Sequence, residues 1–300
     1  MSKYQIFTDS CSDLSKELRA KNNIELVYMG LVVDGVEKRA DLNWEDYSVE
    51  EFYGWLQKGC KVKTTQVSIL EFTNRFRPYL EKGIDIIYLA CSSALTASLN
   101  ACQLASEELL KEFPDRKIIG YDTLTSSCTL GILVLDAAKE QQKGASLEEL
   151  VKWCDDNKFN YNQFATVETL TFLKNAGRIK GSKAFMGNLI GVKPIFISDR
   201  KGNNFTVMTV KGTKNADREL IEGIRRTIGK DVKKIVIGQG MAQERALRLK
   251  KTIEDELKVE AEIWWIGPIV GTTCGPGVVA TFCYGKEVTR FEGDGIAQGY

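Results

Sequence analysis

Histidine is absent from all 300 residues. That excludes Ser-His-Asp and Cys-His catalysis and removes the commonest general base. Any chemistry would have to run on carboxylates, Lys, Tyr or a bare thiol. A zinc site would have only cysteines and carboxylates to draw on. Charge of one sign is lacking too. Lys and Arg total 41 against 40 Asp and Glu, a net charge of +1, so the chain does not advertise nucleic-acid binding. Its short basic run, residues 248–251, reads as a solvated helix face. The most apolar stretch, residues 130–138, is too short to span a membrane and contains Asp136. No signal-peptide core follows the first residues. The eight cysteines form no Cys-x-x-Cys pair and no disulfide framework. There is no Walker loop and no G-x-G-x-x-G. These absences predict a cytoplasmic protein without a transmembrane segment, with at most transient membrane contact.

What is present is the balance of a globular protein, 43% apolar and 27% charged residues, in a chain long enough for two domains. The pattern predicts an α/β protein. In the first half, apolar strands (residues 4–8, 24–33, 85–90, 117–121) alternate with helices: a short one near 14–21, amphipathic ones near 48–57 and 69–81, one that puts Leu95, Leu99, Cys102, Ala105 and Leu109 on one face, an apolar one near 130–141 and another near 147–155. This is the signature of a parallel sheet in a three-layer αβα domain, residues 1–160. The polar stretch 157–162 marks the boundary. Residues 161–300 read as a second α/β domain with a mixed sheet. Its strands near 194–197 and 205–210 flank the turn-rich residues 199–204, a hairpin signal that the first half lacks. The charged, Gly-rich tail after residue 285 reads as an appendage.

Four polar segments qualify as a site. Thr8-Asp9-Ser10 follows the first strand, and Cys91-Ser92-Ser93 follows "DIIYLA" and opens a helix. Ligands gather at the carboxyl ends of parallel strands, although a Ser at a helix start also caps its own helix. Lys63-Thr64-Thr65-Gln66-Val67-Ser68 precedes a helix that Ser68 caps, leaving two threonine hydroxyls as donors. The last is Gly271-Thr272-Thr273-Cys274-Gly275-Pro276-Gly277, read as a loop. Its glycines permit close backbone approach and its threonines supply donors.

Taken together, these segments resemble the DegV family of bacterial fatty-acid-binding proteins, from residue 3 to about residue 284. The resemblance rests on six stretches in order: Thr8-Asp9-Ser10-Cys11-Ser12-Asp13-Leu14; Thr64-Thr65-Gln66; Ser92-Ser93-Ala94-Leu95; Leu173 through Gly177-Arg178-Ile179; Gly191-Val192-Lys193-Pro194-Ile195; and Gly267-Pro268 with Gly271 to Gly277. It implies two domains with a long-chain fatty acid buried between them and no cofactor. It implies a carboxylate held by hydroxyls, here Ser93 with Thr64 or Thr65 beside it, and Ser92 and Thr273 nearby. At Thr273 the family often carries His, so any imidazole role is in doubt in this chain. Arg178 is placed near the site mouth or a partner surface, and Phe185, Met186, Leu189, Ile190 and Ile195 are candidates for the acyl lining. The resemblance further implies a carrier without chemistry of its own, presenting its ligand to a separate ATP-dependent fatty acid kinase subunit. Two alternatives stay open: an enzyme using Cys274 as nucleophile, and a phosphate- or nucleotide-binding kinase-like domain built on Ser93 and Arg178.

Overall fold

The computed structural model describes residues 4–180, 191–230, 232 and 234–288. These divide between two compact units. The first comprises Met1–Ser48, Lys61–Lys158 and Gly267–Ile269; the second comprises Val49–Cys60, Phe159–Ile266 and Val270–Tyr300.

Along the first half of the chain come β1 (Tyr4–Asp9), a single 3-10 turn (Ser10–Ser12), α1 (Lys16–Lys21), β2 (Ile24–Val27), β3 (Gly30–Val33) and β4 (Val36–Arg39). There follow α2 (Val49–Gln57), β5 (Val62–Thr65), α3 (Ile69–Leu80), β6 (Asp85–Ala90), α4 (Ser98–Glu112), β7 (Ile118–Asp122), α5 (Ser127–Gln142) and α6 (Leu147–Asn157). A parallel sheet runs in the order β2-β1-β6-β7. Its central strands β1 and β6 are almost wholly buried. That is why "DIIYLA" reads as a continuous apolar run rather than an alternating one. The helices pair, α3 against α4 and α5 against α6. Serines set several helix starts: Ser15 accepts from the Leu18 N–H, Ser68 from the Glu71 N–H at 3.0 Å, and Ser146 completes a capping box with Glu149.

Two expectations for this half need correction. Residues 24–33 are not one strand. The chain leaves the parallel sheet after Val27, and β3 joins a separate antiparallel sheet ordered β4-β3-β5. The first half therefore does hold a hairpin, β3 to β4, turning at Asp34-Gly35, both at positive φ. Ser92-Ser93 also does not open a helix. A turn intervenes and α4 begins only at Ser98.

The second half contributes β8 (Tyr161–Thr166), α7 (Thr171–Ala176), β9 (Ile179–Lys180), β10 (Val192–Ser198), β11 (Asn204–Lys211) and α8 (Thr213–Thr227). Then come β12 (Lys234–Gln239), α9 (Gln243–Leu257), β13 (Glu260–Trp265), α10 (Pro268–Cys274) and β14 (Val279–Tyr284). The mixed sheet of this unit runs β13-β12-β14-β8-β10-β11-β9. β12 pairs parallel with β13 and antiparallel with β14, as the change of pattern after residue 160 predicts. Phe164, Ile195, Phe205, Leu220, Ile224, Ile237 and Leu249 form its core. Burial of each such side chain is worth about 1.5–3 kcal/mol.

The segment read as a glycine-rich loop is partly helical. Pro268 opens α10, where its missing N–H costs nothing. The Gly275 N–H closes the last turn on the Gly271 carbonyl at 2.7 Å. Gly275 and Gly277 then take positive φ and end it.

Candidate functional site

The parallel strands end at Asp9, Ala90 and Asp122, and the loops beyond them carry the polar groups of interest. Asp9 is fully buried. One carboxylate oxygen accepts the Cys11 N–H at 2.8 Å. The other accepts the Tyr88 hydroxyl at 2.6 Å and the Cys91 N–H at 2.9 Å. Burial pushes its pKa up, while the bonds from Tyr88, Cys91 and Cys11 hold it down. Asp9 thus fixes the start of the loop that carries Ser92 and Ser93.

Within that loop Ser92 is buried. Its N–H donates to the Thr125 carbonyl at 2.9 Å, and its hydroxyl oxygen accepts the Ala94 N–H at 3.2 Å. Ser92 therefore caps its own turn. Ser93 is exposed. Its hydroxyl donates to Asp122 at 2.5 Å, and its N–H approaches the same carboxylate at 3.3 Å. A hydroxyl has one proton to give. For Ser93 to donate to a ligand carboxylate, that proton must be withdrawn from Asp122. Asp122 was not visible in the sequence as a member of the site. Its only signal is an acid at a strand's carboxyl end.

Thr64 and Thr65 lie on β5 rather than in a loop, Thr64 half-buried and Thr65 exposed. Thr65 pairs with Gly30. A Cβ at Gly30 would fall 2.3 Å from the Thr65 hydroxyl oxygen. Only glycine lets that hydroxyl lie across the neighbouring strand. Just beyond, the Val67 N–H donates to the buried Ser98 hydroxyl oxygen at 3.1 Å. This bond ties the threonine segment to the first turn of α4, close in sequence to Ser93.

Asp13 is a second buried carboxylate, in left-handed conformation at φ 53°. It accepts the Gly267 N–H at 2.9 Å and the Ser127 hydroxyl at 2.7 Å. Burial raises its pKa to about 7 against the pull of both bonds, with the Asp9 charge a smaller upward push. Asp9 lies in the Thr8-Asp9-Ser10 segment singled out in the sequence, but only the structure shows what it holds; Asp13 did not stand out, although it lies in the Thr8–Leu14 stretch.

In the second unit, Thr272 and Thr273 are half-buried on α10. The glycines around them have packing reasons. A Cβ at Gly271 would meet Phe52 at 2.8 Å, and one at Gly275 would meet the Phe172 ring at 2.1 Å. Cys274 is buried and is the last residue of α10. An activated thiol sits at a helix N-terminus or beside a cation; Cys274 sits at the opposite helix end. Arg178 is exposed and donates to the Ala176 carbonyl at 2.8 Å. Ile195 is fully buried in the sheet core. Phe185, Met186, Leu189 and Ile190 lie outside the described residues.

Among the described residues, no cluster of three or more Cys, Asp or Glu side chains is arranged to hold a metal ion, and no helix is long and apolar enough to cross a membrane. A cleft of about 650 Å³ opens at the amino ends of β1 and β6, lined by Tyr4, Asn23, Asp85, Lys117, Gln141 and Glu148 among others. It lies at the end of the sheet away from Asp9 and Ser93. Its lining mixes amide and charged groups with Ala145 and Leu147.

A family model described as "Uncharacterised protein, DegV family" matches residues 3–286. A DegV domain-containing protein of Clostridium perfringens is 32% identical over 289 residues, covering 95% of this chain and 98% of its own. Among solved structures, a DegV lipid-binding protein of Thermotoga maritima superposes with a TM-score of 0.84 at 24% identity, covering 96% of this chain and all of its own. A fatty-acid-binding DegV family protein of Thermus thermophilus does so with a TM-score of 0.82 at 26% identity, covering 94% of this chain and 99% of its own. The mixed α/β architecture, with a parallel sheet followed by a mixed one, is the architecture of those proteins. With a family model spanning nearly its whole length and a relative 32% identical across it, the chain belongs to the DegV family.

Proposed function

We propose that this protein binds one long-chain fatty acid and acts as its carrier. The observation that carries the reading is the fatty-acid binding of the Thermus thermophilus relative, which matches almost the whole chain. Ser93, Thr64, Thr65 and Thr273, with Ser92 shaping the loop, form the head-group site. Placement of the acyl chain between the two domains rests on the family resemblance alone, as does presentation of the acid to a separate kinase subunit. Arg178 belongs to the mouth or to that partner surface.

The physics is compatible with hydroxyl donors and no fixed cation. Each buried methylene contributes about 0.8 kcal/mol, so a sixteen-carbon tail gives on the order of 12 kcal/mol before the costs of immobilisation. The head group need only avoid burial without partners, and two or three hydroxyl and backbone donors meet that need. Eight free cysteines, seven of them buried, support a reducing, cytoplasmic setting.

Calorimetric titration tests the proposal. Delipidated protein should bind palmitic acid at a one-to-one ratio and show no heat with ATP. Heat with ATP, and none with the acid, would favour the kinase-like alternative and end the carrier reading.

A further inference from the structure

The stretch Asp9-Ser10-Cys11-Ser12-Asp13 has no direct role in the proposal above, yet its side chains are more deeply buried than any of the donors. Asp9, Ser10, Ser12 and Asp13 are each at most 5% exposed. Their hydrogen bonds do not stay within the loop. Asp9 caps its own 3-10 turn through the Cys11 N–H, but its other oxygen reaches the Cys91 N–H, one residue before Ser92. Ser10 accepts the Met29 N–H at 3.1 Å, one residue before Gly30, whose strand partner is Thr65. Asp13 accepts the Gly267 N–H at 2.9 Å, immediately before the helix that carries Thr273. Three separate segments are held at the backbone: two run on to a candidate donor, and the third enters the strand against which Thr65 pairs. A loop serving only its own stability would spend its acceptors on its own N–H groups.

We infer that Asp9, Ser10 and Asp13 are positioning residues of the head-group site, each fixing the backbone of a donor-bearing segment or, for Ser10, of the strand paired with one, without touching the ligand. The inference rests on the carrier reading and deepens it. Buried side-chain oxygens suit this task because each accepts a backbone N–H from a distant segment in a fixed, directional geometry. The arrangement also explains why the donors themselves can be neutral hydroxyls on short or exposed side chains: their precision comes from beneath. Ser12 supplies the contrast. It lies in the same turn and is fully buried, but its hydroxyl has no hydrogen-bond partner among the described residues.

The test compares a fatty acid with the alcohol of the same chain length, which shares the tail and lacks the carboxylate. Displacement of a fluorescent acyl probe by palmitic acid and by cetyl alcohol is measured for wild type, Ser10→Ala, Asp13→Ala, Asp13→Asn and Ser12→Ala, with a thermal melt for each. Ser10→Ala and Asp13→Ala should weaken the acid about tenfold, the loss expected for one hydrogen bond's worth of misplacement. The alcohol should be unaffected. Asp13→Asn keeps an oxygen for the Gly267 N–H and should restore the acid, while Ser12→Ala should match wild type. Equal losses for acid and alcohol would reduce these residues to structural ones and overturn the inference, as would unchanged acid affinity in Ser10→Ala. If Asp13→Ala does not fold, Ser10→Ala decides by the same ratio. A wild type that takes up neither ligand overturns the carrier reading itself.

Discussion

Asp13 couples the stability of the fold to pH, and Asp13→Asn exposes the coupling. Its carboxyl is fully buried and its pKa is raised from 3.8 to about 7. A raised carboxyl pKa means that the folded state prefers the neutral acid. The stabilisation it confers is therefore complete below the unfolded value near 4 and is lost as pH rises through about 7. At about 1.4 kcal/mol for each pH unit, the ceiling is roughly 4 kcal/mol. Asparagine resembles the neutral acid at this position. Its oxygen can accept from the Gly267 N–H, and Ser127 can turn its hydroxyl to accept from the amide. Wild type should therefore lose stability relative to Asp13→Asn between pH 4 and 7, and the difference should level off above about pH 8. Urea unfolding followed by the fluorescence of the five tryptophans, at matched pH for both proteins, measures this. Titrating groups that do not interact with Asp13 cancel in the difference. Parallel profiles would refute the reasoning. So would wild type gaining on Asp13→Asn as pH rises, because the Gly267 and Ser127 bonds would then outweigh burial.

Three further outcomes follow from individual contacts. Asp122→Asn removes the carboxylate that holds the Ser93 proton and, on the proposed site, a negative charge beside the head group. It should tighten fatty-acid binding several-fold at low salt, whereas Ser93→Ala should loosen it; displacement titrations at two ionic strengths check both. Gly275→Ala puts a Cβ 2.1 Å from the Phe172 ring at φ 76°, and should lower stability by about 2–4 kcal/mol in urea unfolding. Native thiol titration should find Cys60, the half-buried cysteine, reacting well ahead of the other seven, with all eight reacting in denaturant. Burial pushes Cys102, Cys154 and Cys283 up to about 12, which keeps them inert at neutral pH. Rapid labelling of Cys274 would revive the nucleophile alternative.

The sequence was most legible where one local rule dominates. "DIIYLA" marks β6 residue for residue, because a strand buried on both faces has no other apolar pattern to show. Ser68 is the cap it was expected to be. Legibility failed where tertiary context decides. Nothing local marks where β2 ends and β3 turns into another sheet, since Tyr28-Met29 continues the apolar run. Glycines and threonines disguised α10, although Pro268 at its first position was an available signal. The turn after Ala90 hid the distance from Ser93 to α4. At the site, the hydroxyls were visible as donors, while Asp9, Asp13 and Asp122 were not visible as their holders. A buried acid is recognised by its partners, and those lie far off in sequence: Cys91 for Asp9, and Gly267 for Asp13.

The central claim is that this chain carries a fatty acid, and native mass spectrometry of the protein as purified tests it most directly. The account predicts a species heavier than the bare chain by one long-chain acid, released on denaturation and restored when palmitic acid is added to delipidated protein. A bare chain throughout, both as purified and after exposure to the acid, would contradict it.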